Sequence, residues 1–185
     1  MPSPNGKARI AGLFYLLTIV TGSLALAVAS GRSLVVSLST LCYVGVTLIF
    51  YDLFKPVNMR LSLVAAGFSL TGCAFGILGA FNLVAGQINL GFFGLYCIAI
   101  GYLIVRSTFL PRSLGWLMII GGLSWITFFS PALARQLAPI NMVPGFLAEV
   151  SLTLWLLAAG VNGQRWRESA TRASNSALLS ATSFL

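Results

Sequence analysis

Six apolar runs, each close to the roughly 20 residues that cross a bilayer as a helix, alternate with short polar connectors along this chain. The runs cover residues 10–29, 34–54, 61–85, 90–105, 114–130 and 143–161. The connectors cover residues 30–33, 55–60, 86–89, 106–113 and 131–142. Connectors this short make successive helices antiparallel neighbours. The runs are continuous rather than alternating with a period of two, which argues against a transmembrane β-barrel. The pattern predicts an all-α integral membrane bundle of six transmembrane helices over residues 1–162. Residues 163–185 turn polar and basic, then rich in Ser and Ala. That composition reads as a poorly ordered tail.

Composition strengthens this picture. Of the 185 residues, 58% are hydrophobic and 8% charged, against roughly 25% charged in a soluble domain. Too few polar side chains exist to coat a water-facing surface, so lipid is the main solvent. The net charge of +8 does not point to nucleic acid, because the basic residues sit singly or in pairs between apolar runs rather than clustering on a face.

Charge then orients the bundle. Lys7 and Arg9 precede the first run, Lys55 and Arg60 follow the second, and Arg106 and Arg112 follow the fourth. Arg165, Arg167 and Arg172 follow the sixth. If all six runs span, these basic residues share one side, and only Arg32 and Arg135 lie on the other. The asymmetry predicts that both termini are cytoplasmic. Lys7, Arg9, an apolar run and Ala27-Val28-Ala29 also have the outline of a cleavable signal peptide. The run is long for that role and no soluble domain follows, so it is read as a retained span.

Small or polar residues recur at helical spacing on every run and predict the packing seams. They include Ala11, Tyr15 and Thr18 in the first run; Gly72 and Gly76 in the third; Gly94, Cys97 and Gly101 in the fourth; and Gly115, Gly122 and Trp125 in the fifth. A sharper reading has Tyr43, Thr47, Tyr51, Thr153 and Glu149 line a polar cavity. The chain holds three acids. Glu168 lies in the tail. Asp52 sits at the end of the second run, three positions before Lys55, as an interfacial carboxylate does. Glu149 lies well inside the sixth run, where an unpaired charge costs about 2–3 kcal/mol or more. Its helical neighbours Gly145 and Thr153 predict that it faces the bundle. Arg135, in the connector entering the same run, is the expected cationic partner; failing that, a protonated carboxyl would donate to a hydroxyl or carbonyl.

Enzyme chemistry finds few components. There is no histidine, which removes imidazole bases, haem ligation by His and HExxH zinc sites. Neither a GxSxG elbow nor a P-loop occurs. Asp52 and Glu149 fall near opposite membrane faces and cannot form an aspartic dyad. Cys42, Cys73 and Cys97 lie singly in apolar runs and behave as small hydrophobes. No catalytic residue, metal or cofactor is expected.

Five stretches in order carry a family resemblance: RIAGLFYLL at 9–17, YDLFKPVN at 51–58, FFGLYCIAIGYLI at 92–104, FLPRSLG at 109–115, and EVSLTLWLL at 149–157, with GVN at 160–162 and Arg165-Trp166 close behind. Together they resemble the domain of unknown function 4386 family of bacterial multi-pass membrane proteins. The resemblance implies a bacterial inner-membrane bundle that retains its first helix, and it assigns no catalytic residue. The expected function is to bind or transport a small or lipophilic ligand. The alternative is a structural or regulatory membrane partner subunit without a ligand of its own. Expected partners are the lipid bilayer, a small or lipophilic ligand, and a second copy or another membrane protein; no nucleic acid is expected.

Overall fold

The structure, a computed structural model, describes residues 3–27, 31–84 and 87–182. Val28 and Ala29 of the signal-like motif, and the ends of the first and third predicted runs, lie outside them. Among the described residues eight α-helices follow one another: α1 (Pro4–Ala27), α2 (Arg32–Phe54), α3 (Met59–Ala80), α4 (Ile88–Arg106), α5 (Arg112–Ile126), α6 (Pro131–Leu137), α7 (Val143–Ala158) and α8 (Gly163–Thr182). Single 3-10 turns, Thr127–Phe129 and Ile140–Met142, flank α6. Six of the helices, the fifth and sixth extended by these turns, are long and apolar enough to cross a membrane, as the six runs predict. No strand occurs among the described residues.

Each spanning helix packs on the next in chain order, and α7 closes the series by packing on both α5 and α1. The result is a ring of six helices around a common interior. Leucines such as Leu13, Leu41, Leu63, Leu123 and Leu154 stand on the outside, each about half exposed or more. In water they would form an unstable coat; against lipid tails they are solvated. Leu147 also stands on this outer face, while Val161 is buried, its amide donating to Asn5 Oδ1 at 3.3 Å.

The basic ends come together. Lys7 of α1 and Lys55 both pair with Asp52 at the end of α2. Trp166 Nε1 of α8 donates to the Leu53 carbonyl at 2.8 Å, and the Asn162 amide donates to the Phe109 carbonyl at 3.1 Å. These contacts join the start of α1, the end of α2, the α4–α5 connector and the end of α7. The helix ends bearing the basic majority thus form one face, and Arg32 and Arg135 belong to the opposite one.

One connector differs from expectation. The connector read as residues 131–142 contains α6, capped by Ser130, whose hydroxyl accepts from the Leu133 amide at 3.4 Å, with Pro131 at the first helical position. Beyond the last span, α8 covers Gly163–Thr182. Asn162 Oδ1 accepts from the Arg165 amide at 3.1 Å and so caps its first turn.

Glycine sets the closest approach in the ring. A Cβ built on Gly101 would stand 2.6 Å from the Gly115 carbonyl oxygen, and one on Gly115 would stand 2.6 Å from that of Gly101. Gly94 and Gly122 repeat the reciprocal contact at 2.7 Å. The two pairs lie seven residues, or two turns, apart on antiparallel helices. Backbones this close gain dispersion and weak Cα–H contacts that bulkier side chains would forbid. On α3, Gly72 packs on the Asn89 carbonyl of α4, while the nearest atoms to a Cβ on Gly76 are 3.8–4.0 Å away.

Candidate functional site in the bundle interior

Glu149 is buried inside the ring, 8% exposed. It is on the face of α7 that carries Gly145 and Thr153, and both of these are also buried. Its expected cation is not there. Arg135 lies exposed on α6, and no ion pair joins it to Glu149. The indole of Trp125 takes that place, with Nε1 donating to Glu149 Oε1 at 3.0 Å. Among the described residues this is the one hydrogen bond to the carboxyl.

The indole reaches across because Gly145 has no side chain. A Cβ there would collide with Trp125 Nε1 and Cε2. One turn along α5, Gly121 lets α7 approach too, with a would-be Cβ 2.9 Å from Ala148 Cβ and 3.1 Å from Gly145 Cα. Three glycine or alanine positions therefore hold an acid and a neutral donor at hydrogen-bond distance across two helices.

Around this pair the ring interior is aromatic and hydroxylated. Tyr43 of α2 has its ring edge-on to those of Tyr15 of α1 (5.9 Å), Phe93 of α4 (5.2 Å) and Tyr96 of α4 (5.6 Å). Phe93 in turn stands edge-on to Trp125 at 6.0 Å. The hydroxyls of Tyr15, Tyr43, Tyr96 and Thr153 are all buried without a partner at full hydrogen-bond geometry, although the Tyr43 side chain lies near enough to interact with the Tyr15 and Tyr96 hydroxyls. The Tyr15, Tyr43 and Tyr96 hydroxyls and the Cys97 thiol lie within electrostatic reach of the Glu149 carboxyl. Four helices therefore direct hydroxyl groups into one interior region beside one acid. Buried polar groups in native proteins almost always find a partner, and leaving one unmade costs about 1–3 kcal/mol. Four such groups in one place mark an unusual site.

The residues read together from the sequence divide. Tyr43, Thr153 and Glu149 meet in this interior. Thr47 does not join them: its hydroxyl bonds the Tyr43 carbonyl at 2.9 Å and pairs with Ser69 of α3. Tyr51 is half-buried two turns further along α2, and its carbonyl accepts from the Ser62 hydroxyl at 3.1 Å. Asp52 stays at the basic end between Lys7 and Lys55. Tyr15 and Trp125 appear in the sequence only as members of packing stripes, and Tyr96 in no stripe at all. No group of three His, Cys, Asp or Glu side chains comes together among the described residues.

No curated protein and no solved structure matches the chain. The model of the family described as domain of unknown function (DUF4386) matches residues 84–160, a stretch containing Tyr96, Trp125, Glu149 and Thr153, and this is the family that the sequence resembles.

Proposed function

We propose that this multi-pass membrane protein binds a small ligand in the ring interior at Glu149 and passes it across the bilayer. The observation that carries the reading is the cluster of buried hydroxyls of Tyr15, Tyr43, Tyr96 and Thr153, none with a partner at full hydrogen-bond geometry, beside a membrane-buried acid. An ionisable group at that depth is by default functional, and convergent polar groups in an apolar enclosure are what a ligand site provides. The basic majority at one face supports an orientation with both termini in the cytoplasm. The family resemblance supports a bacterial inner membrane. A structural or regulatory subunit is the second reading. It is favoured by Gly67 and Gly79 of α3, where a Cβ would meet nothing within 4 Å beyond its own stretch of helix, leaving room for another helix.

The two readings differ in what the hydroxyls are for. Groups kept for a ligand burden the empty fold; groups kept for packing support it. Tyr96→Phe and Thr153→Val delete an unpartnered hydroxyl at nearly constant shape. Each should raise stability in detergent by about 1 kcal/mol, read as a higher melting temperature. A comparable loss of stability in both variants would mean that the hydroxyls have structural partners, and the ligand reading would fall.

A further inference from the structure

We infer that the ligand of this interior site is an organic monovalent cation, with an ammonium-type head and an apolar body, taken up in exchange for a proton on Glu149. The inference rests on the reading that the interior binds a ligand, and it adds the ligand's charge, its class and the ion that it replaces.

The sign of the site comes first. Trp125 from α5 bonds Glu149 directly; Tyr15 from α1, Tyr43 from α2, and Tyr96 and Cys97 from α4 lie within its electrostatic reach, and Thr153 is buried one turn along its own helix. None is basic. Lys7 and Lys55 are held by Asp52 at the far end of the bundle, and Arg32 and Arg135 are exposed. An anion entering here would meet no positive charge. A divalent ion would meet a single carboxylate, where several charged oxygens are usual.

The walls then choose among monovalent cations. A bare alkali ion needs oxygen ligands on most sides. Here the side chains packed in the interior are largely rings, Tyr43, Phe93, Tyr96 and Trp125, set edge-on to one another. Aromatic faces attract cations through their quadrupole and at the same time bury apolar substituents. Carboxylate and hydroxyls on one side and rings on the others suit a head that is charged but greasy.

Charge balance supplies the exchange. A net charge in this low-dielectric interior is costly, so the site stays neutral through a proton when empty and a cation when filled. The step is Glu149–COOH plus cation giving Glu149–COO⁻·cation plus a proton released to water. The carboxyl O–H is the one bond broken, and an ion pair forms. Trp125 Nε1 keeps its hydrogen bond to Oε1 in both states and holds the carboxyl for the second oxygen to act.

The test uses the full chain in nanodiscs and benzyltrimethylammonium, a quaternary probe with no proton of its own to lose. Calorimetry reads binding, and a pH dye in weak buffer reads released protons. Saturable binding with a proton released for each cation is expected. Neopentylbenzene, the neutral isostere, should bind about tenfold or more weakly, as should the cation to Glu149→Gln. Should Glu149→Gln fail to fold, Glu149→Asp, which keeps the acid, should bind with lower affinity and still release the proton. Equal binding of the neutral isostere overturns the inference. Binding without proton release overturns the exchange. Proton release on adding sodium but not the quaternary probe assigns a metal-ion site instead, which defeats this inference and leaves the ligand reading standing. No binding of any probe defeats the inference as well, and the ligand reading is then judged separately by whether water-soluble reagents reach the interior.

Discussion

Gly101→Ala and Gly115→Ala should each lower the stability of the bundle by about 2–3 kcal/mol. The added Cβ would meet a backbone carbonyl oxygen of the facing helix at 2.6 Å. A flexible side chain could move aside; a backbone carbonyl held in helix hydrogen bonds cannot. Helices α4 and α5 would have to separate, which also loosens the Gly94–Gly122 contact two turns away. Little hydrophobic gain offsets the loss, since lipid solvates the parted surfaces as well as the helices did. Gly67→Ala is the control. Nothing lies within 4 Å of a Cβ there, and alanine favours the helix by about 0.5–1 kcal/mol. Detergent melting should move down for the first two variants and level or up for the third. Equal responses at all three would mean that the α4–α5 contact is not a close backbone approach.

The second large effect is expected at Gly145. Gly145→Ala places a methyl group where Trp125 Nε1 and Cε2 now lie, so the indole must leave. Overpacking costs about 1–3 kcal/mol, and the Glu149 carboxyl loses its donor at about 1–3 kcal/mol more. Destabilisation should be accompanied by a change in tryptophan fluorescence and by loss of any ligand bound at Glu149. The double variant Gly145→Ala, Trp125→Phe has a smaller ring to displace. Its loss should be less than the sum of the two single losses, because the residues touch. Strict additivity would show that Gly145 is not what positions the indole.

Much of this architecture was legible in the runs and the charges. Long apolar stretches have one stable solution in lipid, because backbone groups must be bonded within the helix, and the basic residues then select the count of spans. The reciprocal glycines were visible as stripes on the fourth and fifth runs, although their pairing was not. The inward face of Glu149 followed from Gly145 and Thr153 at one-turn spacing. Its partner did not, because a buried acid calls for a cation by charge alone, and here a neutral indole donor serves. Periodicity gives the face of a helix but not which level of it meets a neighbour. Tyr43 and Tyr51 share a face of α2, yet eight residues set them about 12 Å apart along the axis, and only Tyr43 reaches the interior. Tyr96 escaped a stripe because α4 is buried on most of its surface, including Tyr96, Cys97, Ala99 and Ile100, so no single face marks its inner side. The helices α6 and α8 did leave signals, a Ser-Pro start at Ser130 and an Asn cap at Asn162, which were outweighed by the polar composition around them.

The central claim is that the interior around Glu149 opens to a water-borne ligand. Thr153 tests it most directly, being 1% exposed, unpartnered and one turn from Glu149. In a chain with Cys42, Cys73 and Cys97 replaced by alanine, Thr153→Cys is treated in intact cells with a small, cationic, membrane-impermeant thiol reagent. Single cysteines at Gln136 and Asn58 serve as references for the outer and cytoplasmic faces. Labelling is expected at Gln136 and not at Asn58, with slower but complete labelling at Thr153 that benzyltrimethylammonium retards. A Thr153 thiol that stays unmodified in the folded protein from both sides of the membrane, yet reacts once the chain is unfolded, would describe a dry bundle and contradict the claim.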